Sequence, residues 1–410
     1  MTLHPGHPAD TAADIADFAN EFVALRRKLH SQPELAYKEE KTSALVATYL
    51  QSWGYEVTRN IGGTGVVGTL HNGIGGRSVG IRADMDALPI IEATGLDYAS
   101  TTAGVMHACG HDGHTAILLA AARHLSETRD FSGTFHAIFQ PAEEGGGGAR
   151  SMIRDGLFER FPVDAVFGLH NWPGVPAGQF GFLTGPAMAS VDLAIIRIVG
   201  KGGHGAKPHQ TVDPVIASAS LVLALQTIVS RNLDPLETAV ITVGTINGGV
   251  AANVIPESVE LKITVRTFNE RVREQIKGRI IALADLHAQS YGATAQVRYP
   301  RGYPVLVNHA DETEFARQVA LRHFGEGRVE ADFRQITASE DFAFMLQERP
   351  GSYLFVGNGD SADLHSPRYD FNDAILPDAA RYWVALVRDF LSANDTTLTI
   401  PSRVEAKQDD

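Results

Sequence analysis

Cysteine is almost missing from this 410-residue sequence, which has a single one, Cys109. A lone thiol cannot close an intramolecular disulfide, so a disulfide-stapled secreted scaffold is excluded. Basic runs are missing too. Lys and Arg number 35 against 48 Asp and Glu, and the net charge of −13 is spread along the chain. No stripe remains that could neutralise a phosphate backbone or an anionic lipid surface. No uninterrupted apolar stretch is long enough for a bilayer span, and the opening MTLHPGHPAD lacks the basic and apolar regions of a secretion signal. The expectation is a cytoplasmic protein, with no nucleic acid and no membrane as partner.

What is present is ordinary globular material: 44% apolar and 20% charged residues, enough to bury a core along the whole chain. The length favours two or three domains. Helical spacing opens the chain over Ile15 to Leu29 and recurs over Glu39 to Trp53, where Gly54 is a stop. Short apolar runs follow at Gly65 to Leu70, Ser78 to Ala83, Gly133 to Phe139, Asp164 to Leu169 and Tyr353 to Val356, and these read as buried strands. Helical stretches at Thr115 to Leu125, Ala149 to Asp155 and Ser339 to Leu346 separate several of them. The fold class expected is α/β, a sheet between helices.

Between residues 189 and 300 the order changes to strand, helix, strand, strand, helix, strand. The pieces are Val191 to Val199, Asp213 to Ser230, Ala239 to Ile246, Ser258 to Thr267, Glu270 to Tyr291 and Ala293 to Tyr299, the order of a ferredoxin-like α+β unit. The division expected is a catalytic domain over 1–188 and 301–395, an inserted domain over 189–300 and a polar tail over 396–410.

Ligands of an open α/β sheet bind beyond the carboxyl ends of its strands. Here one strand runs into Asp84 and Asp86, the next into Glu143 and Glu144, a third into His170, and the last is followed by His365. The segment His107-Ala108-Cys109-Gly110-His111-Asp112-Gly113-His114 adds a thiol among imidazoles. In an extended loop Cys109 and His111 project to the same side, and both are good ligands for a zinc-like ion. The plainer alternative is a small buried cysteine beside a loop histidine. Glu143 and Glu144, as neighbours in extended backbone, are expected to point apart, one binding metal and the other acting as general base toward the attacking water. A solvated acidic turn before a helix is the alternative there. The run Gly145 to Gly148 lacks the Lys and Ser or Thr of a phosphate cradle. His204, between glycines in Gly200 to Gly205, is a weaker candidate.

These motifs, with Gln140-Pro141-Ala142-Glu143-Glu144, His170-Asn171-Trp172-Pro173 and Gly203-His204-Gly205, resemble those of the bacterial and plant amidohydrolases. That family includes hippurate hydrolases, N-acyl-amino-acid deacylases and indole-acetyl-amino-acid hydrolases. The likeness runs from Arg26-Arg27-Lys28-Leu29-His30 and Pro33-Glu34-Leu35 to Leu364-His365-Ser366-Pro367. It implies a di-metal exopeptidase-like catalytic domain and hydrolysis of N-acyl amino acids. Two divalent ions (Mn²⁺, Zn²⁺ or Co²⁺) would be held by Cys109, His111, Glu144, His170 and His365, with Glu143 as general base. It also implies that the insert is a lid and dimerisation domain, that His204 stabilises the oxyanion, and that Asn253 and Arg266 bind the substrate carboxylate.

One departure stands out. The wider di-metal exopeptidase superfamily places His-x-Asp after the second strand, whereas this chain has Asp84-x-Asp86, so Asp84 is not carried over as a ligand and Asp86 is expected to orient one. Three other readings remain open at this point: a dipeptidase or aminopeptidase on the same scaffold, a cysteine hydrolase using Cys109, and a noncatalytic metal-binding sensor.

Overall fold

The structure, a computed structural model, describes residues 8–330 and 333–392, with side chains from Ile15 onward. The expected polar tail over 396–410 and the opening heptapeptide lie outside the described residues. Two compact units form, the second from Gly185–Val307 and Arg334–Phe344 and the first from the rest. The sequence assigns 334–344 to the catalytic part; the structure gives it to the second unit. The reason is backbone pairing, since the Ala189 N–H donates to the carbonyls of Ile336 and Ala338, and the Ile336 N–H donates to Ala187.

In chain order the first unit supplies α1 (Pro8–Ser31), α2 (Glu40–Ser52), β1 (Glu56–Ile61), β2 (Gly65–Asn72), β3 (Ser78–Asp84), α3 (His111–Thr128), β4 (Gly133–Gln140), α4 (Gly148–Arg154), α5 (Leu157–Arg160), β5 (Ala165–Pro173) and β6 (Phe180–Gly181). Then come β7 (Gly185–Met188), β8 (Ser190–Val199), β9 (Gly203–His204), α6 (Pro214–Thr227), β10 (Ala239–Asn247), β11 (Val254–Ile255), β12 (Ser258–Thr267), α7 (Glu270–Ser290) and β13 (Thr294–Arg298). The chain closes through β14 (Leu306–Asn308), α8 (Ala310–Phe324), β15 (Val329–Glu330), α9 (Ala343–Glu348), β16 (Gly351–Gly359) and α10 (Leu376–Ser392).

The first unit is built on an eight-stranded sheet in the order β1-β2-β4-β3-β5-β16-β6-β15. Its middle strands β4, β3, β5 and β16 are parallel. They are buried along nearly their whole length, which is why they appear in the sequence as unbroken apolar runs rather than alternations. Helix α1 lays Ile15, Phe18, Phe22, Leu25 and Leu29 on one buried stripe at three- and four-residue spacing. It packs on α3, as does α10. Ala120, Ala121 and Ala122 leave α3 room to be enclosed on all sides.

The second unit is a four-stranded antiparallel sheet in the order β10-β12-β8-β13. In β8, Ala194, Ile196 and Ile198 point inward, as do Val259, Leu261, Ile263 and Val265 in β12, against Leu221 and Leu225 of α6 and Ile276 and Ile280 of α7. β12 lies between β8 and β10 although the helix α6 joins those two strands, which is the split-βαβ arrangement that the element order implies. Among the described residues one helical segment, Pro214–Asn232, has the length and hydropathy of a membrane span. Ser218, Ser220, Gln226 and Arg231 interrupt it, and its Ala217, Leu221, Leu225 and Ile228 form part of the unit's core.

Candidate metal centre

The parallel strands of the first unit send their carboxyl ends to one edge of the sheet, and the candidate ligands gather there. Gly110, at φ 89°, turns the chain into α3, so that Cys109 precedes the helix and His111 is its first residue. An extended loop was the expected means of joining these two; a left-handed turn at Gly110 does it instead. A Cβ at this position would stand 2.2 Å from the Asn171 amide nitrogen, which restricts the position to glycine. β5 runs past its expected end and carries His170 inside the strand, opposite Phe355 of β16. His365 sits in the loop after β16 at φ 65°, fixed by its N–H, which donates to the Ala108 carbonyl at 2.7 Å.

Three groups of potential ligand atoms overlap: Cys109, His111 and His170; Cys109, Glu144 and His365; and His111, Glu143 and Glu144. Within each group the atoms lie no more than 4.8 Å apart. Cys109 Sγ is 3.4 Å from His170 Nε2, and His365 Nε2 is 3.2 Å from Glu144 Oε1. Because Cys109 and His111 each belong to two groups, the cluster is continuous. It has a closed pole, with Cys109, His111 and His170 buried, and an open one, with Glu144 half-buried and His365 exposed.

The supporting hydrogen bonds aim the ligand atoms. His111 Nδ1 donates to the Asp86 carbonyl at 2.8 Å, and its Nε2, like Glu144 Oε1, is buried without a hydrogen-bond partner. His170 Nδ1 donates to the Asn171 carbonyl at 2.6 Å, which turns its Nε2 toward Cys109. Orphaned imidazole and carboxylate atoms beside a thiol fit a divalent cation in donor type and in orientation. His114 does not offer itself in the same way. Its Nε2 accepts the Asn171 N–H at 3.0 Å, so its Nδ1 carries the proton that binds Asp84 at 2.7 Å. Asp84 is also paired with the buried Arg82 at 2.6 Å. Both are engaged in holding the site's frame.

Glu143 and Glu144 lie in a turn, not in extended backbone. Ala142 has φ 53°, and the two Asp86 carboxylate oxygens accept the N–H groups of Glu143 and Glu144 at 3.0 and 2.9 Å. Both side chains reach the neighbourhood of His111, so the expectation that they point apart is corrected. What distinguishes them is burial: Glu143 is buried, whereas Glu144 opens toward His365. Two partners of the site were assigned no role from the sequence, although Asn171 lies in one of its motifs. Asn171 holds the Cys109 carbonyl at 2.7 Å while accepting Tyr369 Oη at 2.6 Å. The other, Glu39, binds the Ala142 N–H from 103 residues away.

The electrostatics follow from carboxylates crowding a dry site. Burial, Glu144, Glu143 and Asp84 push the Cys109 thiol well above its usual range. Burial would keep His111 neutral, but Asp84, Asp86 and Glu144 raise it to about 10. Burial holds His170 well below its usual value. The negative potential that favours a proton on His111 also favours a divalent cation, whose binding displaces that proton and the thiol's.

In the second unit β9 pairs with β11, placing His204 opposite Val254, and the Gly205 N–H donates to the Asn253 carbonyl at 2.8 Å. His204 and Asn253 are thus neighbours, both exposed. Arg266 is elsewhere. The β9–β11 pair is a separate two-stranded sheet, reached past the Val199–Ser258 end of the β8–β12 ladder, whereas Arg266 lies eight residues the other way from Ser258, roughly 25 Å along the strand. Arg266 and Asn253, both implied by the resemblance to bind the substrate carboxylate, are therefore not neighbours in the second unit. Its guanidinium donates to Ser339 Oγ at 3.1 Å.

Residues 80–389 match the family model for peptidase family M20/M25/M40. The chain is similar to hippurate hydrolase of Campylobacter jejuni, at 43% identity over 92% of this chain and 98% of the relative. It is also similar to N-acetyl-L-cysteine deacetylase of Bacillus subtilis, at 41% identity over 93% and 91%. Among solved structures, a dinuclear metal binding peptidase of the M20 family from Bacillus subtilis aligns with a TM-score of 0.79 at 33% identity, covering 92% of this chain and 99% of that one.

Proposed function

This chain belongs to peptidase family M20/M25/M40, and from that premise we propose that it is a metal-dependent amidohydrolase cleaving N-acyl amino acids into a carboxylic acid and a free amino acid. The observation that carries the reading is the convergence of Cys109, His111, Glu144, His170 and His365 on one sheet edge with Glu143 beside them. In this reading those five residues hold two divalent ions, with zinc, manganese and cobalt all suited to one thiolate among imidazoles and carboxylates. Bound there, such ions polarise the scissile carbonyl and acidify the attacking water. Glu143, buried at the cluster's edge, takes the proton of that water and passes it to the leaving amine nitrogen. A ligand thiolate needs a reduced cysteine, which supports a cytoplasmic location.

His204 is assigned to the oxyanion, and Asn253 and Arg266 to the substrate's α-carboxylate, for which the planar guanidinium fork is suited. Because His204 and Asn253 belong to the small β9–β11 sheet past one end of β12 and Arg266 lies near the other end of β12, the assignment works through a homodimer in which one copy contributes His204 and Asn253 and the other contributes Arg266. The deciding experiment assays N-acetyl and N-benzoyl amino acids beside their carboxamides, before and after chelation. Hydrolysis of the acids is expected to vanish on metal removal, return with added metal and drop sharply for the amides. Equal rates for acid and amide would overturn carboxylate recognition. Preference for a free amino terminus would make the protein a dipeptidase. Turnover by metal-free protein with an acyl group trapped on Cys109 would make it a cysteine hydrolase.

A further inference from the structure

Glu39 is a fully buried carboxylate with no cation against it among the described residues. It precedes α2 in the position from which a side chain usually caps a helix, yet it does not cap. Glu34 does so instead, accepting the N–H groups of Lys41 and Thr42 at 3.1 and 2.9 Å. The Glu39 carboxylate turns the other way. One oxygen accepts the Ala142 N–H at 2.9 Å and the Tyr37 N–H at 3.0 Å, and the second accepts Thr64 Oγ1 at 2.5 Å. Burial and the nearby Asp86 carboxylate raise its pKa, so the placement works against solvation and against charge.

Ala142 is a non-glycine residue in the left-handed region, a conformation that side chains disfavour. Its carbonyl accepts the Gly148 N–H at 3.1 Å, which closes the turn. At Gly148 a Cβ would stand 1.6 Å from the Pro141 carbonyl oxygen, so the turn tolerates no bulk. Three consecutive N–H groups, those of Ala142, Glu143 and Glu144, are therefore held by two buried carboxylates, Glu39 and Asp86.

We propose that Glu39 is a positioning residue which holds Ala142 in its left-handed conformation and thereby aims the Glu143 and Glu144 carboxylates at the cluster. It touches no reacting atom, and its effect passes through the backbone of the turn. The proposal rests on the amidohydrolase reading for its kinetic consequence, but not for its structural one.

The test compares wild type, Glu39→Ala, Glu39→Gln, Ala142→Gly and the Glu39→Ala/Ala142→Gly pair, each loaded with Co²⁺. Glu39→Ala is expected to lose about a hundredfold in kcat with KM within about threefold, and to shift the visible Co²⁺ bands as Glu144 moves. Glu39→Gln keeps one acceptor oxygen and should stay within about tenfold of wild type. Glycine adopts a positive φ without penalty, so the double variant should recover about fivefold to tenfold over Glu39→Ala and regain wild-type bands. Loss of thermal stability in Glu39→Ala with unchanged kcat and unchanged bands per loaded molecule would overturn the proposal, as would a double variant no better than Glu39→Ala. If wild type hydrolyses no N-acyl amino acid, the functional reading fails while the Co²⁺ bands still decide the role of Glu39.

Discussion

Glu143 and Glu144 share a turn and a capping carboxylate, yet one is enclosed and the other borders the solvent beside His365. A base that must move a proton gains from enclosure, and a ligand at the open pole gains from reach. Glu143→Gln is therefore expected to retain both ions and lose at least a thousandfold in kcat, whereas Glu144→Gln should lose metal. Elemental analysis beside steady-state kinetics checks this. A metal-free Glu143→Gln with a fully loaded Glu144→Gln would exchange the two roles. At this scale the gathering of Cys109, His111, Glu144, His170 and His365 was legible in the sequence, because thiol, imidazole and carboxylate types recur at strand ends, where hydroxyls and amines would be as common by chance. Of the residues that hold that cluster, Asp86 was legible as an orienting residue and does orient His111, Glu143 and Glu144, but the others were not. Glu39, Asn171 and Tyr369 act through contacts between distant parts of the chain, and no local spacing announces such contacts.

The elements read most clearly were those whose burial is uniform. β2, β4 and β5 are enclosed over most of their length, so their apolar runs have one explanation, and the alternation in β8 and β12 marks a sheet with one covered face. The edge strand β1, whose residues are mostly polar and exposed, gave no such run. α9 was expected from Ser339 and begins at Ala343; Ile336 and Ala338 are in extended pairing with Ala187 and Ala189, and the Glu340 carboxylate takes the Phe342 N–H just ahead of the helix. β4 also carries His136, whose ring bonds Thr69 Oγ1 at 2.9 Å and meets Phe161 edge-on. Burial, with His71 nearby, lowers its pKa to about 4 from 6.5, the Pro162 carbonyl opposing. An unfolded chain takes up this proton as pH falls below 6.5 and the folded chain does so only near 4. The contribution is thus complete above pH 6.5 and is lost progressively as pH falls toward 4. Urea midpoints measured across that window should decline more steeply for wild type than for His136→Gln; parallel curves would show that His136 does not titrate in this way.

For the whole molecule, the separation of Arg266 in β12 from His204 and Asn253 at the β9–β11 sheet makes assembly the point at issue. If each centre borrows His204 from a second copy, Glu143→Gln and His204→Ala protomers are each inactive alone, but a mixed dimer has one complete centre. Unfolding and refolding them together in equal amounts should return about a quarter of wild-type activity, as random pairing dictates. Activity no higher than the sum of the separate variants would place His204 and Glu143 within one copy. The order of strands has a consequence in time as well. β16 pairs with β5 on one side and β6 on the other, yet it leaves the ribosome about 180 residues after β5 does. At ordinary elongation rates that interval is roughly 10 to 40 s, during which β5 presents an open hydrogen-bonding edge. The second unit, by contrast, has all four strands of its main sheet in hand by Arg298. Its βαββαβ core can condense on the nascent chain while the eight-stranded sheet still lacks β15 and β16. The eight-stranded sheet is thus closed by a late insertion of β16 between β5 and β6, a step of high contact order and so of the slow kind.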